Sequence, residues 1–210
     1  MFHVLNRAAA RRTLFETEGD YFAFLKVLQE AQSRVDMRLL SYCIMPNHWH
    51  LVLWPRGDGD LSDYMKWLTT AHAQRWHKWH ESSGTGALYQ GRFKLFPVQG
   101  DTHFSQLCRY VERNALRSNL VSRAEHWRWS SLWQRLQERA DVQLSPWPVP
   151  PGSQWLEYVN QAETEAELAS LRKSVTHGLP FGDSSWTKST AAALGIEIPS
   201  RPPGRPRRQK

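Results

Sequence analysis

Two histidines separated by a single residue, His48 and His50, are the residues of this chain best placed to do chemistry together. They follow a turn signal, Pro46-Asn47, and an apolar run begins at Leu51. On a β-strand, side chains two residues apart project from the same face, whereas a helix would separate them around its axis. The spacing therefore predicts two imidazoles side by side, as a shared metal ion requires. A strand that carries two histidines and no ion is the alternative.

A predicted helix further along the chain carries a second set of reactive side chains. Tyr110 and Asn114 are four residues apart and so share one helix face, with Arg113 and Arg117 on the same edge. A phenol, an amide and two guanidinium groups form a surface suited to phosphate. A tyrosine at the edge of the core beside an asparagine near a helix end is the other interpretation.

Together the two sets predict a phosphoryl-transfer reaction. A divalent ion held by two imidazoles and an amide oxygen keeps open positions and polarises a phosphoryl oxygen. Tyr110 can then attack phosphorus and form a covalent phosphotyrosine. Phosphate and amide oxygen ligands favour Mg²⁺ or Mn²⁺, and Cys43 and Cys108 lack the paired spacing of a structural zinc site.

The charge of the chain predicts a polyanionic partner. It has 210 residues, 27 of them basic and 20 acidic, for a net charge of +7. Five of the basic residues lie within the last ten positions, which leaves +2 for the rest. Two cysteines do not form a disulfide framework, and neither a leader nor a long apolar run is evident, so we expect a cytoplasmic protein.

Periodicity and turn signals predict an α+β fold in the order β-α-β-β-α-β, followed by another helix. That order favours a ferredoxin-like antiparallel sheet with helices packed on it. The strand that starts at His48 carries bulky residues on both faces and should be central. The predicted elements are strands at Phe2–Asn6, Met37–Met45, His48–Trp54 and Tyr89–Val98, and helices from Asp20, from Leu61 to Trp79, and from Asp101 or Thr102 to about Ser118.

The C-terminal third predicts an extension of the catalytic unit. A short helix to about Ala140 is followed by a proline-rich linker, by predicted helices at Trp155–Val175 and Ser184–Leu194, and by a basic tail. We therefore predict a catalytic domain over residues 1–140, a linker and helical extension over 141–198, and a tail without fixed structure over 199–210.

Further basic residues are candidates to contact the polyanionic partner. The candidates follow the first strand, share one face of the fourth with Gln90, or lie in the tail, where the Arg-Pro-Arg sequence resembles part of a minor-groove hook. They are Arg7, Arg11, Arg12, Arg92, Lys94, Arg205, Arg207 and Arg208, beside Arg113 and Arg117. His77 and His80 could bind metal, but a solvated or partly packed helix face is the stronger interpretation. Both cysteines should be buried filling residues.

The motifs in order resemble the HUH-type tyrosine transposases of the IS200/IS605 kind, and in particular the REP-associated tyrosine transposases of bacteria. The resemblance covers the chain from Phe2 to its end, and the motifs are more specific together than His-x-His alone. They are Tyr42-Cys43-Ile44-Met45-Pro46-Asn47-His48-Trp49-His50-Leu51-Val52, Tyr89-Gln90-Gly91-Arg92-Phe93-Lys94, Tyr110-Val111-Glu112-Arg113-Asn114 and Trp129-Ser130-Ser131.

The resemblance implies a role for each matched residue. His48 and His50 would be the paired metal ligands, Asn114 the third ligand and Tyr110 the nucleophile. The implied substrate is single-stranded DNA with an imperfect hairpin and a short guide sequence, cut and rejoined through a 5′-phosphotyrosine by a monomer or homodimer in the bacterial nucleoid. Ala115 stands where the family usually has proline, which predicts a helix that continues past Asn114.

Two rival functions remain open at this stage. A hairpin-DNA-binding protein with idle chemistry, acting in regulation or genome organisation, would have the same basic tail and many tryptophans. A relaxase or replication initiator shares the histidine pair and the tyrosine, but the compact size and the match along the whole chain argue against it.

Overall fold

A four-stranded antiparallel sheet forms the centre of the protein. The structure, a computed structural model, describes residues 1–139 and 141–198. The strands are β1 (Phe2–Arg7), β2 (Arg38–Met45), β3 (His48–Trp54) and β4 (Lys94–Pro97). Their order in the sheet is β2-β3-β1-β4, which places β3 in the interior, as predicted. The sequence order and sheet order together confirm the ferredoxin-like fold.

Helices cover both faces of this sheet. The described helices are α1 (Glu18–Arg34), α2 (Asp60–Trp79), α3 (Thr102–Glu112), α4 (Asn114–Arg117), α5 (Ser131–Leu136), α6 (Trp155–Asn160), α7 (Glu165–His177) and α8 (Ser184–Ala193), with short 3₁₀ turns at Ala9–Arg11 and Ala124–His126. Helices α1 and α2 pack on the face that carries Trp49, Leu51 and Leu53. Helices α3 and α7 pack on the opposite face, against Val52 and Phe96.

Strand register brings β1 beside the histidines of β3. Leu5 pairs with His50, and Arg7 pairs with His48. His3 pairs with Val52, so His3 points to the same side of the sheet as the two histidines of β3. The face toward α3 therefore holds three imidazoles, two of which were singled out from the sequence.

The fourth strand is shorter than predicted. Only Lys94–Pro97 forms a strand, whereas the prediction began at Tyr89. Tyr89 makes an isolated bridge to Ala8, and the side-chain amide of Asn6 donates to the carbonyl of Gly91. The chain leaves the sheet near that glycine because a side-chain contact replaces part of the ladder, so residues 89–93 form an irregular edge.

Two segments that were each predicted to form one helix form two helices instead. The helix of Tyr110 is broken at Arg113 into α3 and α4, although no proline stands at position 115. Arg113 donates instead to the carbonyls of Val159 and Asn160 at 3.2 and 2.7 Å, so tertiary contacts hold the break.

The helix expected over Trp155–Val175 is likewise two helices. Thr164 starts the second one with a capping box to Glu167. The Thr-x-x-Glu pattern of this capping box is present in the sequence. Helix α5 ends at Leu136, short of the predicted end at Ala140, which lies outside the described residues.

The C-terminal extension packs onto the sheet and α3. Trp147 stacks edge-on against Phe104 of α3 at 5.3 Å between ring centroids, and Val98 bridges to Phe181. The domain boundary near residue 140 stays a prediction. The predicted tail, 199–210, lies outside the described residues. Within residues 1–139 and 141–198, no helix combines the length and apolarity that crossing a membrane requires.

Candidate functional site

The paired histidines stand next to each other on β3. The ring centroids of His48 and His50 are 5.0 Å apart, with the rings nearly perpendicular. Each ring is held through Nδ1: His48 contacts Asn47 Oδ1 at 2.7 Å, and His50 contacts Nε2 of His3 at 2.8 Å. Within the described residues neither Nε2 atom has a hydrogen-bond partner, so both remain available to a ligand.

Burial keeps these imidazoles neutral. It lowers the pKa of His48 to about 3, with smaller contributions in the same direction from Arg7 and Arg117. It also lowers the pKa of His50 well below its ordinary value, and the neighbouring His3 and His48 add to the effect. A neutral imidazole is the form that binds a metal, so both rings are in the ligand form at pH 7.

Tyr110 faces the histidines across the gap between α3 and the sheet. Its ring centroid lies 5.9 Å from that of His50 and 6.4 Å from that of His3, in edge-on orientation to both. Its side chain is mostly buried, and the guanidinium of Arg117 lies 4.0 Å from its ring centroid. The nucleophile predicted from the sequence thus sits beside the histidine pair of its own chain.

Asn114 supplies a buried amide without a partner. The residue is only 3% exposed, and its side chain makes no hydrogen bond within the described residues. An unpaired buried amide is unusual, because leaving one unsatisfied costs about 1–3 kcal/mol. Two free Nε2 atoms and a free amide fit the donor set predicted for a divalent ion.

Glu112 anchors the helix that carries the tyrosine. Its carboxylate is fully buried and accepts hydrogen bonds from elements on three sides of α3. The donors are Ser41 Oγ at 3.2 Å, Ser131 Oγ at 2.7 Å, Trp155 Nε1 at 2.9 Å and an Nη of Arg135. One carboxylate therefore ties α3 to β2, α5 and α6.

Arg113 and Arg117 are engaged within the protein, which the sequence did not predict. Both guanidinium groups pair with Glu163, at 3.4 and 3.2 Å, in the loop between α6 and α7. The carboxylate of Glu163 is almost completely buried. The C-terminal extension thus holds Arg117, whose guanidinium lies over the ring of Tyr110. Both guanidinium groups already have an acidic partner within the protein.

Three other predicted DNA contacts come together beside the histidines. Arg7, Arg92 and Lys94 line one pocket of about 270 Å³ with Leu5 and Gln90. Since Arg7 pairs with His48 and Leu5 with His50, this pocket adjoins the histidine pair. It shares Arg92 with a larger cleft of about 680 Å³ along α2. The pocket and the cleft meet at the irregular edge, residues 89–93.

The remaining basic candidates do not line this pocket. Arg12 donates to the carbonyl of Ala87 at 2.6 Å, and Arg11 is exposed beside it. Arg205, Arg207 and Arg208 lie outside the described residues.

His77 and His80, expected on a solvated or partly packed helix face, are half-buried at the C-terminal end of α2. His77 bonds to Ser82 and His80 to Asp20. The two cysteines are buried and free, as predicted.

Three residues at this site were not predicted from the sequence. His3 and Glu163 act through partners distant in sequence, and only strand register and helix packing reveal those partners. Asn47 directly precedes His48, but it was interpreted only as a turn residue. The alternation His3, Leu5, Arg7 along β1 was a usable signal, since it predicts that His3 and Arg7 share one face.

A sheet that presents paired histidines to a helix-borne tyrosine is the fold of the HUH-type single-tyrosine transposases. Residues 1–114 match the model of the family described as IS200-like transposases, more than half of the chain. The chain belongs to this family, and its class of function is DNA processing of the transposase type. Among curated proteins none matches the chain.

Two solved structures are similar to this chain. One is a REP-associated tyrosine transposase bound to a REP hairpin, at 15% identity and a TM-score of 0.54, covering 78% of this chain and 84% of that one. The other is a protein from Deinococcus radiodurans described as a transposase, at 21% identity and a TM-score of 0.41, covering 53% and 87%. At 15% identity, the first shows a shared fold.

Proposed function

We propose that this protein is a metal-dependent, single-stranded DNA endonuclease and strand transferase that acts on hairpin DNA through a 5′-phosphotyrosine at Tyr110. The observation that carries the proposal is the distance of 5.9 Å between the ring centroids of Tyr110 and His50. The buried, unpartnered amide of Asn114, four residues along the chain from Tyr110, supports it. Because all of these residues belong to one chain, the geometry supports a site completed within a monomer.

His48, His50 and Asn114 would hold Mg²⁺ or Mn²⁺ through two imidazole Nε2 atoms and the amide oxygen. When bound, a divalent ion polarises a phosphoryl oxygen. Tyr110 Oη gives up its proton to water and attacks phosphorus, the bond from phosphorus to the 3′-oxygen breaks, and that oxygen takes up a proton from water to become a free 3′-hydroxyl. The phosphate stays on the tyrosine, so a second 3′-hydroxyl can reseal the strand without ATP.

The chain's own charges support a nucleic-acid substrate. The pocket of Arg7, Arg92 and Lys94 adjoins the histidines and can hold phosphates next to the cleaved bond. The adjoining cleft has room for unpaired nucleotides, with aromatic rings of Tyr89 and Phe93 in its wall. The similar structure bound to a REP hairpin supports a hairpin as the folded part of the substrate. DNA as substrate supports a cytoplasmic, nucleoid-associated location.

A cleavage assay tests this proposal. We expect a labelled hairpin oligonucleotide with single-stranded flanks to be nicked in the presence of Mg²⁺ or Mn²⁺. We expect no nicking in EDTA and none of a fully duplex control. Tight hairpin binding without cleavage under any metal would instead support the idle hairpin-binding protein.

Removing charge from the basic pocket should weaken DNA binding. We expect Arg7→Gln and Lys94→Gln each to reduce hairpin affinity several-fold and to lower the slope of log K against log salt by about 1. The matched control is Lys26→Gln, an exposed lysine on α1, which packs on the opposite face of the sheet. Titration by fluorescence anisotropy between 50 and 200 mM salt measures both effects. Equal slopes for all four proteins would exclude phosphate contact at this pocket.

A further inference from the structure

His3 is completely buried between the histidine pair and the fourth strand. Its Nε2 atom contacts His50 Nδ1 at 2.8 Å, and the two rings are nearly coplanar, with an interplanar angle of 7°. Phe96 lies edge-on against it at 4.9 Å between centroids. Its Nδ1 atom is buried and has no partner within the described residues. His3 therefore makes one polar contact, and that contact is with His50.

The contact determines which nitrogen of His50 can bind a metal. A neutral imidazole carries one proton, and only the other nitrogen offers a lone pair. His50 Nε2 is available to an ion only when Nδ1 carries the proton and donates to His3 Nε2. If His3 donated instead, the proton of His50 would sit on Nε2 and block coordination.

The two histidines of β3 differ in this respect. His48 Nδ1 faces Asn47 Oδ1, an acceptor, so this contact favours the tautomer with the proton on Nδ1 and leaves the lone pair on Nε2. His50 faces another imidazole, which can accept or donate. The ligand state of His50 therefore depends on the tautomer of His3.

We propose that His3 is a positioning residue that orients the ring of His50 by accepting a hydrogen bond from its Nδ1–H, and thereby determines the affinity of the site for a divalent ion. The inference rests on the proposed metal site. His3 is not itself a ligand, because its Nε2 is occupied by His50 and its Nδ1 points into the core. Outer partners of this kind typically contribute 10- to 100-fold in metal affinity.

Mn²⁺ binding to the full-length protein without DNA tests the inference, with free Mn²⁺ measured by electron paramagnetic resonance. His3→Phe keeps an aromatic ring but removes the acceptor, and we expect a 10- to 100-fold rise in the dissociation constant. His3→Gln places an amide near the position of Nε2, and we expect affinity within a few-fold of wild type. Wild-type affinity in a folded His3→Phe protein would overturn the proposal.

Nitrogen-15 spectra of the wild type report which ring nitrogen of His50 and of His3 carries the proton. A purely structural role of His3 makes no prediction about this. With Mg²⁺ bound, we expect His50 and His3 both protonated on Nδ1; a proton on His50 Nε2 would overturn the proposal even if His3→Phe fails to fold. A different pair of results would show that the proposed function itself, rather than the role of His3, is wrong. In that case His48→Ala and wild type would bind Mn²⁺ equally weakly, and the hairpin would not be cut.

Discussion

Replacing Glu112 by alanine should lower the free energy of unfolding by about 3–5 kcal/mol, the range for removing one partner of a buried ion pair. The change leaves two serine hydroxyls, an indole N–H and the guanidinium of Arg135 without their shared acceptor. For a chain of this size it corresponds to a fall in Tm of about 6–20 °C. Thermal unfolding followed by circular dichroism measures it.

Two variants make this test specific. Glu112→Gln keeps the shape and one acceptor, so we expect a smaller loss and a protein that still folds. Glu157→Ala removes an exposed glutamate on α6 and should change stability by less than about 0.5 kcal/mol. If Glu112→Ala were as mild as Glu157→Ala, the buried carboxylate would not anchor α3.

The second large effect is expected from the histidine pair. His48→Ala or His50→Ala should reduce hairpin cleavage by about 10³-fold, since an ion that polarises a phosphoryl oxygen contributes several kcal/mol to the transition state. Hairpin binding should stay close to wild type because the basic pocket is unchanged. Single-turnover cleavage and anisotropy measured on the same preparations separate the two effects.

An exposed histidine provides the matched control for these variants. His126→Ala changes a side chain in a 3₁₀ turn away from β3 and should cleave at the wild-type rate. Full cleavage by His48→Ala, or an equal loss in His126→Ala, would contradict the assignment of the pair.

The sequence predicted what local patterns determine. The His48–His50 spacing requires both side chains on one face of any strand, so that part of the site followed from strand geometry alone. Apolar residues recur at helical spacing along the segment of Tyr110, and the structure places them in the core. They are Phe104, Leu107, Cys108, Val111 and Ala115.

Contacts between distant segments were not predictable in this way. His3 meets His50 only through the β1–β3 register, and Glu163 in the α6–α7 loop meets Arg117 of α4 although the two are 46 residues apart. The break at Arg113 is similar, since its contacts lie 46 and 47 residues away in the chain. The residue types along one helix carry no information about these partners. Arg113 and Arg117, expected to form a phosphate-binding surface, therefore proved to pair with Glu163 inside the protein.

The distance between strand and helix is what the structure adds to the functional argument. The sequence leaves the distance between His50 on β3 and Tyr110 on α3 open, and in the structure their ring centroids are 5.9 Å apart. That approach makes a covalent step at Tyr110 the central claim.

Recovery of the protein–DNA adduct tests this claim most directly. A hairpin oligonucleotide labelled at its 3′ end is incubated with protein and Mn²⁺, and the covalent product is digested and mapped by mass spectrometry. We expect the 5′-phosphate linkage on Tyr110, no adduct with Tyr110→Phe, and a normal adduct with Tyr158→Phe, a control on α6. Equal adduct formation by wild type and Tyr110→Phe would contradict the account.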